Sequence, residues 1–234
     1  MMVTLTIDRQ MVRVENETPI IDAARRLGIH IPTLCHHRAI RPYGACRLCV
    51  VEVIKGGWPR LVTSCNYPAQ QGIQVFTSSD RVKTTRKMLL ELLLSRCPDS
   101  PVIKELAANH GVRTSRFRMK SDESCILCGL CVRACDELVG VRAIGFANRG
   151  TDREVGTPFQ LESDVCIGCG ACTYICPTTC VEMKGKPSHD AGGQCLHMGN
   201  LAMEPCPYNY ECGNCEANHQ FVERMRQVVE RVRI

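Results

Sequence analysis

The segment "CILCGLCVRAC", residues 125–135, recurs forty-one positions later as "CIGCGACTYIC", residues 166–176. Both copies carry four cysteines at the spacing C-x2-C-x2-C-x3-C. Neither follows the period of an amphipathic helix or of a half-buried strand, so both read as loops. Three thiols crowded into seven residues suit a chain wrapped around a compact metal core. Gly129, Gly168 and Gly170 supply the permissive backbone that such a wrap requires.

In two-cluster [4Fe–4S] sequences with this spacing, the fourth cysteine of each run ligates the other run's cluster. The rule assigns Cys125, Cys128, Cys131 and Cys176 to one four-iron cluster, and Cys166, Cys169, Cys172 and Cys135 to a second. Pro177 follows Cys176 as the run expects, whereas Asp136 follows Cys135. Zinc ribbons pair C-x2-C knuckles but do not set eight cysteines in this register. Two clusters with exchanged ligands lie close together and conduct electrons. With every position taken by cysteine, neither leaves a coordination site open to a substrate.

Upstream, residues 3–7 and 11–14 alternate like half-buried strands, with a turn in "IDRQM" between them. "ETPIIDAARRLGI" reads as a helix capped by Thr18, with Pro19 at the first helical position and Gly28 at its end. Its apolar face comprises Ile20, Ile21, Ala24 and Leu27. "CRLCVVEVI", "RLVTSC" and "GIQVFT" are β-like. Strands, helix, then strands is the order of a β-grasp sheet. Cys35, Cys46, Cys49 and Cys65, spaced C-x10-C-x2-C-x15-C, fall in the loops of this region. Four loop thiolates suit a [2Fe–2S] core, with a structural zinc site as the alternative. Gly44 and Ala45 are small, which lets backbone N–H groups approach the sulfurs. His30, His36 and His37 read as surface or supporting residues.

Between these regions, residues 81–96 predict a long amphipathic helix with Val82, Met88, Leu89, Leu92 and Leu93 on its apolar face. Residues 102–109 predict a shorter one. About thirty residues rich in Gly and Arg turns join the repeats, and residues 187–200 are loop-like. Residues 217–234 predict a helix with Phe221, Met225, Val228, Val229 and Val232 on one side and arginines on the other. The expected fold is α+β: a β-grasp [2Fe–2S] domain (1–79), a helical linker (80–120), a two-cluster [4Fe–4S] ferredoxin-like domain (121–186) and a C-terminal cysteine-rich loop and helix (187–234).

The 234 residues include 18 cysteines, and no apolar leader opens the chain. "MLLELLL" is short and broken by Glu91, so no membrane span is expected. A reduced, cytoplasmic setting follows, where dense cysteines serve metals rather than disulfides. The net charge of +5 does not imply a nucleic-acid partner, and aromatic residues at 5% are too few for base stacking. Three cluster cores and their twelve thiolates bring the balance to about −1.

The succession of a β-grasp [2Fe–2S] domain, a helical linker and a two-cluster module resembles the diaphorase iron–sulfur subunit of NAD-linked hydrogenases. It also resembles the N-terminal part of the large iron–sulfur subunit of respiratory complex I. "PTLCHH", "GACRLCVVEV", "LLELLLS" and the two repeats carry the resemblance, over roughly residues 1–185. It implies an electron-transfer subunit, not catalytic alone, working between a flavin subunit that oxidises NAD(P)H and a terminal subunit of hydrogenase type. A small thioredoxin-like [2Fe–2S] subunit and, in a bifurcating assembly, ferredoxin are further implied partners. An NAD-linked formate dehydrogenase is the alternative complex, and a metal-stabilised interaction module without redox function is the second alternative.

Two departures qualify the resemblance. The family carries a histidine and three cysteines after the "LLELLLS" helix, for another [4Fe–4S] cluster; here only Cys97 and the more distant His110 remain. That cluster is expected to be lost, with Cys97 a buried small residue or a helix-end residue rather than a ligand. The chain also stops before a molybdopterin-type domain, as expected of a short, separate subunit. No dinucleotide fingerprint or P-loop is present, so neither NAD nor flavin is expected on this chain. Beyond the resemblance, Cys195, Cys206, Cys212 and Cys215, spaced C-x10-C-x5-C-x2-C, suit a further iron–sulfur cluster or a zinc ion.

Overall fold

The computed structural model describes residues 1–118 and 123–182. They form two compact units: Met1–His36 with Pro42–Cys128, and His37–Arg41 with the described residues from Gly129 onward.

The first unit is built on a five-stranded sheet. Its strands are β1 (Met2–Ile7), β2 (Gln10–Glu15), β3 (Val50–Lys55), β4 (Trp58–Thr63) and β5 (Gln74–Phe76), in the spatial order β2-β1-β5-β3-β4. β1 pairs antiparallel with β2, Val3 opposite Val14 and Leu5 opposite Val12, and parallel with β5. β3 pairs antiparallel with both β4 and β5. Helix α1 (Ile20–Arg26) completes the β-grasp order. Val3, Leu5, Ile7, Val12 and Val14 face one core with Ile20, Ile21 and Ala24 of α1, and with Val51, Val53 and Val75. Each fully buried Val, Leu or Ile contributes roughly 1.5–3 kcal/mol, so the period-2 pattern of β1 and β2 suffices to select the face.

The start of α1 differs from expectation. Pro19, not Thr18, occupies the cap, and no side chain caps the helix. The first-turn N–H groups of Ile20 and Ile21 instead donate to the carbonyls of Tyr67 and Ser64, each at 3.0 Å. Loop carbonyls satisfy the orphan donors that a side chain was expected to serve, and α1 thereby holds the loop that carries Cys65.

Helix α2 (Asp80–Arg96) begins at Ser79, whose hydroxyl accepts from the Val82 N–H. Its buried face is Val82, Arg86, Leu90 and Leu94, while Met88 and Leu92 are exposed. The expected apolar face is therefore turned, and an arginine stands on the buried one. Helix α3 (Pro101–Asn109) packs against α2 through Ile103 and Ala107.

In the second unit, α4 (Leu130–Arg133) runs into a π-helical turn over Ala134–Val139, and α5 (Ala171–Tyr174) packs on both. The repeats are thus not loops throughout, as had been expected: each closes on a short helix. Gly129 (φ 72°) and Gly170 (φ 71°) occupy the left-handed cap before α4 and α5. The segment joining the repeats holds a hairpin, β6 (Gly145–Ala147) with β7 (Glu154–Gly156), braced by the Arg153 guanidinium 4.0 Å from the Phe146 ring centre. The backbone N–H of Arg41 donates to the Glu137 carboxylate at 2.8 Å, and the Arg133 guanidinium donates to the Arg41 carbonyl. The loop 187–200 and the helix 217–234 lie outside the described residues.

Candidate metal centres

Cys35, Cys46, Cys49 and Cys65 are all buried in the first unit. Cys49 lies immediately before β3 and Cys65 shortly after β4, so the pairing of these strands brings the two thiols together. The Ser64 N–H and hydroxyl both donate to the Cys49 carbonyl, at 3.1 and 2.8 Å. The backbone N–H of Leu34 points at the Cys46 sulfur, 3.4 Å away, and that of Cys46 at the Cys35 sulfur, 3.3 Å away. The Cys35 thiol donates to Cys46 and the Cys65 thiol to Cys49. These bonds lower Cys46 to about 6 and Cys49 to about 7. Cys35 and Cys65 are raised, first by their role as donors and then by burial.

Four buried thiols in two hydrogen-bonded pairs, with N–H groups aimed at sulfur, fit a core that takes thiolates. Gly44 lies in the same loop. It stands at φ 77°, and a Cβ there would meet Asn66 Nδ2 at 2.9 Å, so its smallness accommodates Asn66. His36 lies beside the Arg25 guanidinium, 3.4 Å from its Nη1, and Ala39 N–H donates to His37 Nδ1 at 3.3 Å. His30 is exposed.

The sets proposed for the repeats are placed differently. Cys135 and the three thiols of the second repeat all belong to the second unit. Burial raises the Cys169 thiol most; Cys172, Cys135 and Cys166 raise it further by charge. Cys172 is raised by burial and, more weakly, by Cys166 and Cys135. The Cys135 thiol is thus within electrostatic reach of Cys169 and Cys172, and its sulfur accepts from the Ala143 N–H at 3.2 Å. The other set divides, with Cys125 and Cys128 in the first unit and Cys131 and Cys176 in the second. The Leu127 N–H points at the Cys125 sulfur, 3.3 Å away, and Arg96 at the end of α2 donates to the Cys125 carbonyl at 2.8 Å.

Two features escaped sequence reasoning. The Cys180 sulfur lies 3.6 Å from that of Cys176 and the Thr178 hydroxyl 3.7 Å from it. The hydrogen bond with Cys180, followed by burial, pushes the Cys176 thiol up to about 12. A cysteine three residues past a C-P pair is the signal that could have found this contact. The second is Arg86, whose charge gave no hint of a buried position. Cys97 is fully buried at the end of α2, and His110 caps α3. Among the described residues no three His, Cys, Asp or Glu side chains converge as a single metal ion would require; a cluster spreads its thiolates over several irons. Cys195, Cys206, Cys212 and Cys215 lie outside the described residues. No helix among the described residues is long and apolar enough to cross a membrane.

Comparison with known proteins agrees with this geometry. Residues 1–80 match a family described as a 2Fe-2S iron–sulfur cluster binding domain, and residues 124–180 match a 4Fe-4S dicluster domain. The chain is 37% identical to the NADPH-Fe(3+) oxidoreductase subunit alpha of Geobacter sulfurreducens, over 80% of this chain and 25% of that protein. It is 33% identical to the mitochondrial NADH-ubiquinone oxidoreductase 78 kDa subunit of Candida albicans, over 66% of this chain and 25% of that one. The chain thus spans about a quarter of the length of these curated relatives. A chain in the crystal structure of NAD+-reducing [NiFe]-hydrogenase in the H2-reduced state superposes with a TM-score of 0.58 at 33% identity, covering 66% of this chain and 74% of that one. With both cluster-domain matches and a solved relative of this identity and coverage, the chain belongs to the family of iron–sulfur subunits that includes the diaphorase subunit of NAD-linked hydrogenases and the N-terminal part of the complex I large subunit.

Proposed function

We propose that this chain relays electrons between a flavin subunit that oxidises NAD(P)H and a terminal redox subunit of hydrogenase type. The observation that carries the reading is the Cys135 thiol within electrostatic reach of Cys169 and Cys172. A fourth thiol drawn from the other repeat favours two sets with exchanged ligands, closed to substrate. Cys35, Cys46, Cys49 and Cys65 would hold a [2Fe–2S] cluster; Cys125, Cys128, Cys131 and Cys176 one [4Fe–4S] cluster; Cys166, Cys169, Cys172 and Cys135 the other. When bound, such clusters take up and release single electrons. The chain's own residues bury Cys35, Cys46, Cys49 and Cys65 and direct the N–H groups of Leu34, Cys46, Leu127 and Ala143 at cysteine sulfurs.

The same reading places domains at 1–79, 80–120, 121–186 and 187–234, with no cluster at Cys97 and a further cluster or zinc ion at Cys195, Cys206, Cys212 and Cys215. It places the complex in the cytoplasm, with a small thioredoxin-like [2Fe–2S] subunit as neighbour and ferredoxin as a partner if electrons bifurcate. Anaerobically prepared protein should carry about ten irons per chain, plus two to four if the C-terminal set holds a cluster. NADH should bleach its visible absorption only when the flavin subunit is present. Colourless protein containing only zinc would reject the relay. The 37%-identical Geobacter relative favours a second reading, in which the same relay serves an acceptor other than a hydrogenase. Reduction of the assembled complex by hydrogen separates the two.

A further inference from the structure

Arg86 sits on the buried face of α2 and is only 7% exposed. Its Nε–H donates to the Leu48 carbonyl at 3.1 Å and an Nη2–H to the Val50 carbonyl at 2.8 Å. Leu48 and Val50 are the two residues flanking Cys49. Among the described residues Arg86 makes no ion pair. Two acidic groups of the same unit are engaged elsewhere. Glu52 pairs with Arg81 at 2.6 Å, and the Asp8 carboxylate accepts from the Thr77 N–H at 2.8 Å and from its hydroxyl.

A guanidinium stays protonated inside a protein. A full positive charge is therefore held away from water, beside a buried thiol, with its hydrogen bonds made to neutral carbonyls. Burying a charge without a counter-charge is strongly unfavourable. Burial lowers the basicity of Arg86, while the charges of Cys49 and Asp8 act to restore it. Four thiolates more than neutralise a two-iron core. One-electron reduction turns one ferric iron ferrous and deepens the negative charge, without a proton moving at Arg86.

We propose that Arg86 is the counter-charge of the [2Fe–2S] site. It is a positioning residue that holds the Cys49 loop by two carbonyls, and its charge raises the reduction potential of the cluster. This rests on assigning Cys35, Cys46, Cys49 and Cys65 to that cluster. A plain structural brace would satisfy the same carbonyls and leave the potential where it is.

The test is a dithionite titration of the full chain, following the slowly relaxing two-iron resonance at a temperature where four-iron signals are broadened away. Arg86→Gln keeps an N–H donor and removes the charge; Arg86→Lys keeps the charge. In Arg86→Gln the reduced-to-oxidised ratio at the wild-type midpoint should fall about tenfold, a shift of about 59 mV for one electron. Arg86→Lys should stay near wild type. A loaded Arg86→Gln that titrates at the wild-type potential overturns the proposal, as does an Arg86→Lys that shifts as far as Arg86→Gln. If Arg86→Gln does not retain the resonance, retention by Arg86→Lys supports the counter-charge and its loss overturns it. Absence of a two-iron resonance from wild type would instead reject the cluster assignment itself.

Discussion

In the first repeat Leu127 stands between Cys125 and Cys128 with φ at 53°; in the second, Gly168 stands at the same position with φ at 64°. The wrap demands a left-handed residue in both, and only the second supplies the residue that adopts it without a Cβ penalty. The two copies differ again at their fourth cysteine. Cys135 leads through the π-helical turn to Gly140, and its sulfur accepts from the Ala143 N–H. Cys176 is followed by Pro177, which cannot extend α5, and its sulfur faces the Thr178 hydroxyl and the Cys180 thiol. Cys128, Cys131 and Cys135 are buried, whereas Cys166, Cys169 and Cys172 are half-buried. Equal spacing thus supplies equal candidate ligands in unequal surroundings. Potential follows burial and hydrogen bonds to sulfur, so the two clusters should not be equivalent.

Serine substitution of the fourth cysteines tests the exchange most severely. Cys135→Ser should remove about four irons together with the resonance of the second repeat's cluster, and Cys176→Ser should do the same to the first repeat's. Iron analysis with resonance spectra on both variants decides this. If each substitution strikes its own repeat, the exchanged assignment is wrong.

Backbone strain should give a smaller effect. Gly168→Ala should cost about 1–2 kcal/mol in thermal unfolding, because it creates in the second repeat the penalty the first already carries. In the first repeat, Leu127→Gly should exceed Leu127→Ala in stability by about 1 kcal/mol, since both lose the leucine side chain and only one relieves the left-handed strain. Equal stability of the Leu127 pair would mean that the repeats do not differ in strain.

The smallest effect concerns Cys180. Cys180→Ala should keep full iron content and lower the potential of the cluster proposed for Cys176, by less than the about 59 mV that marks a tenfold change in ratio. The second repeat's cluster should be unmoved. A shift there, or a loss of iron, would mean that Cys180 does more than hydrogen-bond to the Cys176 sulfur.

The elements that sequence reasoning located are those whose cause is local. β1 and β2 follow from alternation, because residues two apart share a face whatever the partner strand. Gly28 marks the end of α1 because caps act within one turn. The cysteine spacing in each repeat is legible for the same reason: three ligands of one core must lie within a few residues.

What the tertiary structure decided depends on partners distant in the chain. The buried face of α2 is set by the carbonyls of Leu48 and Val50, which need donors and find them in Arg86. The periodicity of α2 could not announce this, because hydrophobicity counts arginine as surface. The start of α1 is satisfied by Ser64 and Tyr67, more than forty residues away, rather than by Thr18. The β6–β7 hairpin rests on three-residue strands too short for a periodic signal. The reach of Cys135 towards Cys169 and Cys172, and of Cys180 towards Cys176, exists only once α4, the π-helical turn and α5 have packed. Residue types and spacing determined which thiols could serve a cluster; packing decided which of them meet, because a contact across the fold depends on where the intervening chain comes to rest.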